Sequence, residues 1–279
     1  CVGIPKTVDN DLPYTDCSPG FGSVAKYIAT STLEAGLDVK SMAETSTKVF
    51  ILEVMGRHAG WIAAASCLAA TKAGDPPHII LLPEVPFEKT KFITQVKQTV
   101  KEQGYCVIVA SEGTQTKNGK FLADSGLTDA FGHKQLGGVA PVLAGMISKI
   151  GLKNHWAVAD YLQRSARHIA SKTDLDQAYA VGEHAVKLAI AGKTALMPII
   201  KRTSDSPYKW KIATAPLKNV ANIEKTMPKK FISKNGFEIT QAGKTYLSPL
   251  IKGEAPIKYV NGLPDIAELK KIKVKKKLS

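Results

Sequence analysis

The chain has 279 residues, 44% of them hydrophobic and 22% charged, which is enough apolar side chain for one large core or two smaller ones. Its formal charge of +14 is uneven: residues 1–192 hold 19 basic and 18 acidic side chains, whereas residues 193–279 hold 19 and 6. No run approaches the roughly 18 apolar residues of a membrane span, and nothing in the first residues has the pattern of a secretory signal. Cys1, Cys17, Cys67 and Cys106 lack zinc or disulfide-framework spacing, so the expected setting is the cytoplasm, off the membrane.

In chain order, the apolar periodicity predicts a helix over 23–35, a strand over 49–55, a helix over 60–73, a strand over 78–82 and a helix over 88–102. A strand over 105–110, helices over 138–150 and 176–191 and a strand over 195–200 follow. Gly36, Gly74-Asp75-Pro76-Pro77, Gly104 and Gly192 supply the stops. This βαβ alternation predicts a mostly parallel sheet, and Cys67 and Cys106, inside apolar runs, are expected as core thiols. From Thr203 onward the regularity fades into Pro- and Lys-rich stretches, expected as hairpins and packing loops. The chain ends on Lys270, Lys271, Lys273, Lys275, Lys276 and Lys277, a solvated tail or a polyanion-binding run; it has no interleaved aromatics, so nucleic-acid binding is not expected.

Two segments carry chemistry. Pro5-Lys6-Thr7-Val8-Asp9-Asn10-Asp11 places an ammonium beside two carboxylates spaced i, i+2, which an extended backbone puts on one side. Such a pair can share Mg²⁺, or divide the work so that one binds metal and the other takes a proton from an alcohol; Asp-Asn-Asp is also a common solvated turn. Val49 to Trp61 runs as a buried strand into Met55-Gly56-Arg57 and then a helix, placing backbone N–H groups and Arg57 at a strand's C-terminal edge, where open α/β sheets bind ligands.

These two segments, with Leu82-Pro83-Glu84-Val85-Pro86-Phe87, Ala110-Ser111-Glu112-Gly113-Thr114 and Tyr161-Leu162-Gln163-Arg164, resemble the phosphofructokinase family in the same order along the chain. Lys6, preceding Thr-Val-Asp-Asn-Asp, is similar to the lysine of the pyrophosphate-dependent branch. The resemblance implies an α/β fold of two Rossmann-like, three-layer domains with mostly parallel sheets. Residues 1–20 and 163–213 would be a remnant of the phosphoryl-donor domain, and residues 21–162 and 214–279 the fructose 6-phosphate-binding domain with its basic tail. Family members also carry a glycine-rich Gly-Gly-Asp loop upstream. None occurs here, so the expectation is a chain whose first domain is partly missing and which is of doubtful stability alone.

The implied activity is reversible transfer of phosphate from pyrophosphate to the C1 hydroxyl of fructose 6-phosphate with Mg²⁺, a step of glycolysis and gluconeogenesis. Asp9 would be the base and Lys6 the pyrophosphate-favouring cation. Asp11 would either orient Asp9 or touch Mg²⁺, whose main ligand is expected in the absent loop. The substrate contacts implied are Thr7, Val8 and Asp9, then Met55, Gly56 and Arg57, then Glu112 on the sugar hydroxyls, and Tyr161, Leu162, Gln163 and Arg164 at the 6-phosphate. Lys48, and the stretch Lys153-Asn154-His155, stand where relatives use arginines that reach a neighbouring subunit's sugar phosphate, so a homodimer or homotetramer is expected. Glu84 matches a position near a regulatory site in some relatives, or simply ends a strand. His58 and His168 are expected to pack or face solvent, and His155 is left open. An ATP-using enzyme and a catalytically silent sugar-phosphate-binding subunit are the alternatives.

Overall fold

The computed structural model describes residues 1–128, 134–136, 138–273 and 275. Helix α1 (Phe21–Met42) buries Phe21, Val24, Ala25, Ile28, Ala29, Thr32, Gly36 and Val39, the three- and four-residue spacing of one helical face. Strand β1 (Val49–Val54) leads to a short helix α2 (Trp61–Ala65) with a 3₁₀ turn, and β2 (Ile79–Leu81) to α3 (Lys89–Gln103) and β3 (Cys106–Ser111). The pair β4 (Asp124–Thr128) and β5 (Lys134–Leu136) precedes α4 (Val139–Ser148), β6 (Asn154–Val158) and α5 (Leu162–Ser165). Helix α6 (Lys172–Ile190), the antiparallel hairpin β7 (Leu196–Asp205) and β8 (Tyr208–Pro216), and α7 (Gln241–Leu247) follow.

Four strands form one parallel sheet in the order β2-β3-β1-β6. Successive strand residues point to opposite faces, so Leu52, Val54, Ile80, Leu82 and Val109 enter one core with α1 and α2. Ile51, Ile79, Leu81, Cys106, Ile108 and Ala110 enter a second core with Phe92 and Val96 of α3 and Leu143 and Ile147 of α4. Both faces of β1, β2 and β3 are covered, which is why β1 and β3 read as nearly continuous apolar runs, broken only by Glu53 and by Ser111 at the end of β3. The chain leaves β1 for α2 on one face and reaches β6 from β3 through α4 on the other. The C-terminal ends of β1 and β3 lie side by side, with Val54 opposite Ser111, and this is the position where parallel sheets open a ligand crevice.

The structure corrects several sequence expectations. Gly36 does not stop α1; a Cβ there would lie 2.5 Å from Pro76 Cγ, so the glycine lets the helix pass the Pro76 ring. Gly104 does cap α3, with φ 83° and its N–H on Val100 O. The helix expected over 60–73 is only the α2 turn and its 3₁₀ extension, and α6 begins at Lys172, behind the Ser171 cap, rather than at 176. The strand at 195–200 pairs in the antiparallel β7–β8 hairpin, not in the parallel sheet. β6 was not expected, because Asn154-His155-Trp156-Ala157-Val158 is an exposed edge strand without a buried face. Cys67 and Cys106 are core thiols, burial pushing the Cys67 thiol up to about 12 and Cys106 higher still. Residues 265–273 form neither helix nor strand and are exposed; Lys276 and Lys277 of the lysine run lie outside the described residues, as does Gly137.

One carboxylate ties α6 to α1. Asp174, 5% exposed in the first turn of α6, accepts from Gly20 N at 2.8 Å, Ser23 N at 3.0 Å and Ser23 Oγ at 2.5 Å, satisfying donors of the α1 N-terminus that have no partner within that helix. Asp174→Ala is expected to lower the unfolding free energy by about 2 kcal/mol, seen as a lower urea midpoint at unchanged slope, because three partly buried donors lose their acceptor. A midpoint within error of the parent's would remove this anchor from the account.

Candidate active site

A cleft of about 350 Å³ opens at the β1/β3 edge, lined by Lys6, Thr7, Val8, Asp9, Asp11, Met55, Arg57, His58, Ala59, Glu112, Arg164 and Glu224. The turn after β1 and the turn after β3 meet there without space to spare. A Cβ on Gly113 would sit 1.9 Å from Arg57 O, and Gly56 N donates to Glu112 Oε1 at 3.4 Å. The strand ends therefore fix Arg57 and Glu112 as neighbours. Arg57 and Arg164 both line the cleft; Arg57 Nε itself is buried and has no hydrogen-bond partner among the described residues.

The 5–11 segment crosses the mouth of this cleft. Asp9 and Asp11 both face it, as their i, i+2 spacing predicts, while Asn10 between them turns inward at φ 57°. Asn10 is fully buried; its Nδ2 donates to Tyr246 Oη at 3.0 Å and its Oδ1 accepts from Ser18 N at 3.0 Å. Thr7 orients Asp9, its Oγ1 donating to Asp9 Oδ2 at 3.3 Å and accepting from Asp9 N at 3.2 Å.

The carboxylates are crowded. Burial raises Asp9 above the usual carboxylate value, against the lowering effect of Thr7, Lys6, His58 and Arg164. Asp11 is raised by burial and then by the charge of Asp9, and Glu112 by burial against the pull of Arg57. Three partly desolvated acids and the cations Lys6, Arg57 and Arg164 thus share one cleft, an arrangement suited to proton removal beside a bound anion.

Some expected site residues are elsewhere. Gln163 is buried and structural, its Oε1 accepting from Met55 N at 3.4 Å and its Nε2 donating to Asp160 O at 2.9 Å. Tyr161 and Leu162 are 62% and 64% exposed and do not line the cleft, although Arg164 lies 4.1 Å over the Tyr161 ring. Backbone donors at the two ends of the β1 turn are also taken, Gly56 N by Glu112 and Gly60 N by Glu84 at 3.0 Å. Glu84 further accepts from Met227 N at 3.0 Å, so it stitches two segments together. Lys48 is engaged with Ala43 O and Glu44 O at the end of α1, and Lys153 with Ser46 Oγ at 3.0 Å.

Sequence reasoning missed Glu224 and Lys225. His58 Nδ1 lies 2.6 Å from Glu224 Oε1, and both line the cleft, so His58 does more than face solvent. Lys225 sits behind the 5–11 segment, and burial pushes its ammonium down to about 8. Both come from a stretch without periodicity, brought to the cleft by contacts more than 160 residues apart in sequence, so no local signal marks them. A second cleft of similar size, near Lys72, His78 and Thr99, lies at the opposite end of β2; there the His78 ring is already paired with Val107 N and Gly74 O.

The phosphofructokinase family model matches residues 1–189. A pyrophosphate–fructose 6-phosphate 1-phosphotransferase of Halomonas elongata is 64% identical over 278 residues, 99% of this chain and 66% of that protein. One of Xanthomonas campestris is 58% identical over 281 residues, covering 100% of this chain and 67% of that protein. The crystal structure of a pyrophosphate-dependent phosphofructokinase from Marinobacter aquaeolei superposes with a TM-score of 0.90 at 60% identity, over 100% of this chain and 67% of that one. The chain thus spans about two thirds of the length of these relatives. A family model over most of the sequence, and a parallel sheet whose β1 and β3 ends carry the matching motifs, establish that this chain belongs to the phosphofructokinase family.

Proposed function

We propose that the cleft transfers a phosphoryl group from pyrophosphate to the C1 hydroxyl of fructose 6-phosphate, reversibly. The observation that carries this reading is the pairing of a partly buried carboxylate, Asp9, oriented by Thr7, with the guanidinium-bearing Arg57 in the lining of the same cleft. The names of the relatives supply the substrates.

Phosphoryl transfer asks little covalent chemistry of a protein and much positioning and charge. Asp9 takes the C1 hydroxyl proton; Thr7 holds its carboxylate, and the raised affinity for a proton makes it a better base than an exposed aspartate. Arg57 and Arg164 bind phosphate oxygens, Glu112 accepts from sugar hydroxyls, and Met55 and Val8 supply apolar wall. Tyr161 and Leu162, exposed beside Arg164, contribute to the sugar-phosphate end only in the assembled protein. Lys6 is exposed at the rim, a point charge for a small, highly charged donor that offers no base or ribose to hold.

Mg²⁺ fits this reading. Among the described residues no group of three or more acids, histidines or cysteines forms a ready metal cage, but Mg²⁺ is commonly held by one or two carboxylates together with substrate phosphates. Asp11, whose proton affinity is raised partly by the charge of Asp9, is the group a cation would relieve. When bound, the ion neutralises charge on the phosphates. We read residues 1–20 and 163–213 as part of the donor half, residues 21–162 and 214–279 as the sugar-phosphate half, and the whole as a cytoplasmic homodimer or homotetramer. No helix among the described residues is long and apolar enough to cross a membrane.

A coupled assay of the protein with fructose 6-phosphate and Mg²⁺ is expected to show turnover with pyrophosphate and none with ATP. Turnover with ATP alone would overturn the donor, and turnover with neither would leave a silent binding subunit. Asp9→Asn should cost about 10²- to 10⁴-fold in kcat while leaving sugar-phosphate affinity nearly unchanged. The base works deprotonated and its folded value is raised, so kcat/KM of the parent should fall on acidification at a pH above the usual aspartate range, and Asp9→Asn should lose that limb. Lys6→Met should raise the KM for pyrophosphate about tenfold or more with little effect on that for the sugar phosphate; an unchanged pyrophosphate KM would strike Lys6 from the donor site.

A further inference from the structure

The strip Glu224 to Met227 runs from the cleft wall to the space behind it and meets the 5–16 segment, the turn and helix after β1, and the loop after β2. Glu224 meets His58, Trp61 Nε1 donates to Lys225 O at 2.9 Å, and Met227 N donates to Glu84, which also holds Gly60 N. Lys225 N donates to Asp11 O at 2.6 Å. Its side chain runs under the same loop, where Nζ donates to Thr15 O and Asp16 O, each at 3.0 Å, and lies 3.5 Å from Asn10 Oδ1. The ammonium also sits 5.3 Å from the Trp61 ring centroid.

Among the described residues this cation has no carboxylate within ion-pair distance. The nearby Asp16 is bound by Arg202 Nε at 3.0 Å, and every hydrogen bond from Lys225 Nζ ends on a backbone carbonyl or an amide oxygen. A buried charge satisfied in this way fixes the shape of a chain segment rather than pairing with an acid. The segment it fixes is the bend from Asn10 to Asp16, whose first residue is turned inward so that Asp9 and Asp11 on either side face the cleft.

We infer that Lys225 is a positioning residue for phosphoryl transfer: it anchors the Asn10–Asp16 bend from behind and so holds Asp9 at the acceptor hydroxyl. The inference rests on the phosphotransferase reading for its consequence in turnover, but the anchoring itself does not. Arg57, Glu112 and Arg164 are carried by strand ends and α5, none of which Lys225 Nζ touches. Loss of the ammonium therefore misplaces the base and spares the sugar-phosphate clamp, and a displacement near 1 Å in a reacting group costs on the order of 10²-fold in rate.

The test is a double-mutant cycle of Lys225→Met and Asp9→Asn in the full protein, read by kcat, fructose 6-phosphate affinity and hydrogen exchange. Lys225→Met is expected to lower kcat about 10²-fold with affinity within about threefold, and to cost less than about threefold once Asp9 is already Asn, because no base is left to misplace. Amides 9–18 should exchange at least about tenfold faster while those of β3 stay protected. A kcat within threefold of the parent, a full additional loss in the Asp9→Asn background, or unchanged exchange at 9–18 would overturn the assignment. Lys225→Gln, which keeps donors in the pocket without the charge, is read in the same way if Lys225→Met does not fold. Absence of turnover in the parent would defeat the phosphotransferase reading, and the exchange comparison would still decide whether Lys225 anchors the bend.

Discussion

The burial of both faces of β1, β2 and β3 in the parallel sheet is the constraint from which the rest of the structure follows. Each of β1, β2 and β3 gives alternate side chains to two separate cores, so the strands have no polar face on which chemistry could sit. Polar function is confined to strand ends. At the β1/β3 boundary the chain departs to opposite faces, and the gap left there is the cleft. One buried acid on β1 shows how strict the rule is: Glu53, 5% exposed, is accommodated by the N–H of Ala140 at the start of α4, 2.8 Å away.

Within the cleft, opposite charges are held apart as well as together. Arg57 offsets Glu112 and helps hold it, while Asp9 and Asp11 repel each other across Asn10. Desolvation is the largest influence on all three acids, raising each, so the site keeps carboxylates ready to take up protons rather than locked in ion pairs. That poise suits a reaction in which a proton leaves a hydroxyl as a multiply charged phosphate arrives.

Behind the cleft lies a second polar layer whose members never reach it. Asn10, Asp16, Arg202, Lys225 and Tyr246 satisfy one another: Arg202 bonds to Asp16 and to Tyr246 O at 2.9 Å, stacks within 5 Å of the Tyr208 and Tyr246 rings, and Tyr246 Oη donates to Asp16 O at 2.5 Å. Such a network is costly when one member is removed and rigid when complete. Its rigidity allows a surface-crossing segment of seven residues to present two carboxylates in fixed directions.

The sequence by itself determined the alternation of strands and helices through β3 and α4, the family resemblance, and the co-location of Lys6, Asp9, Asp11, Met55, Arg57, Glu112 and Arg164. These depend on local periodicity and on short motifs at strand ends, both of which survive without knowledge of distant contacts. Only the tertiary structure decided that Gly36 continues a helix, because the reason is the Pro76 ring from another segment. It alone turned Gln163 and Glu84 into braces and withdrew the Met-Gly turn amides from any ligand. It also brought Glu224 and Lys225 to the site from a stretch without pattern, since a buried cation held by carbonyls leaves no trace in the spacing of its neighbours.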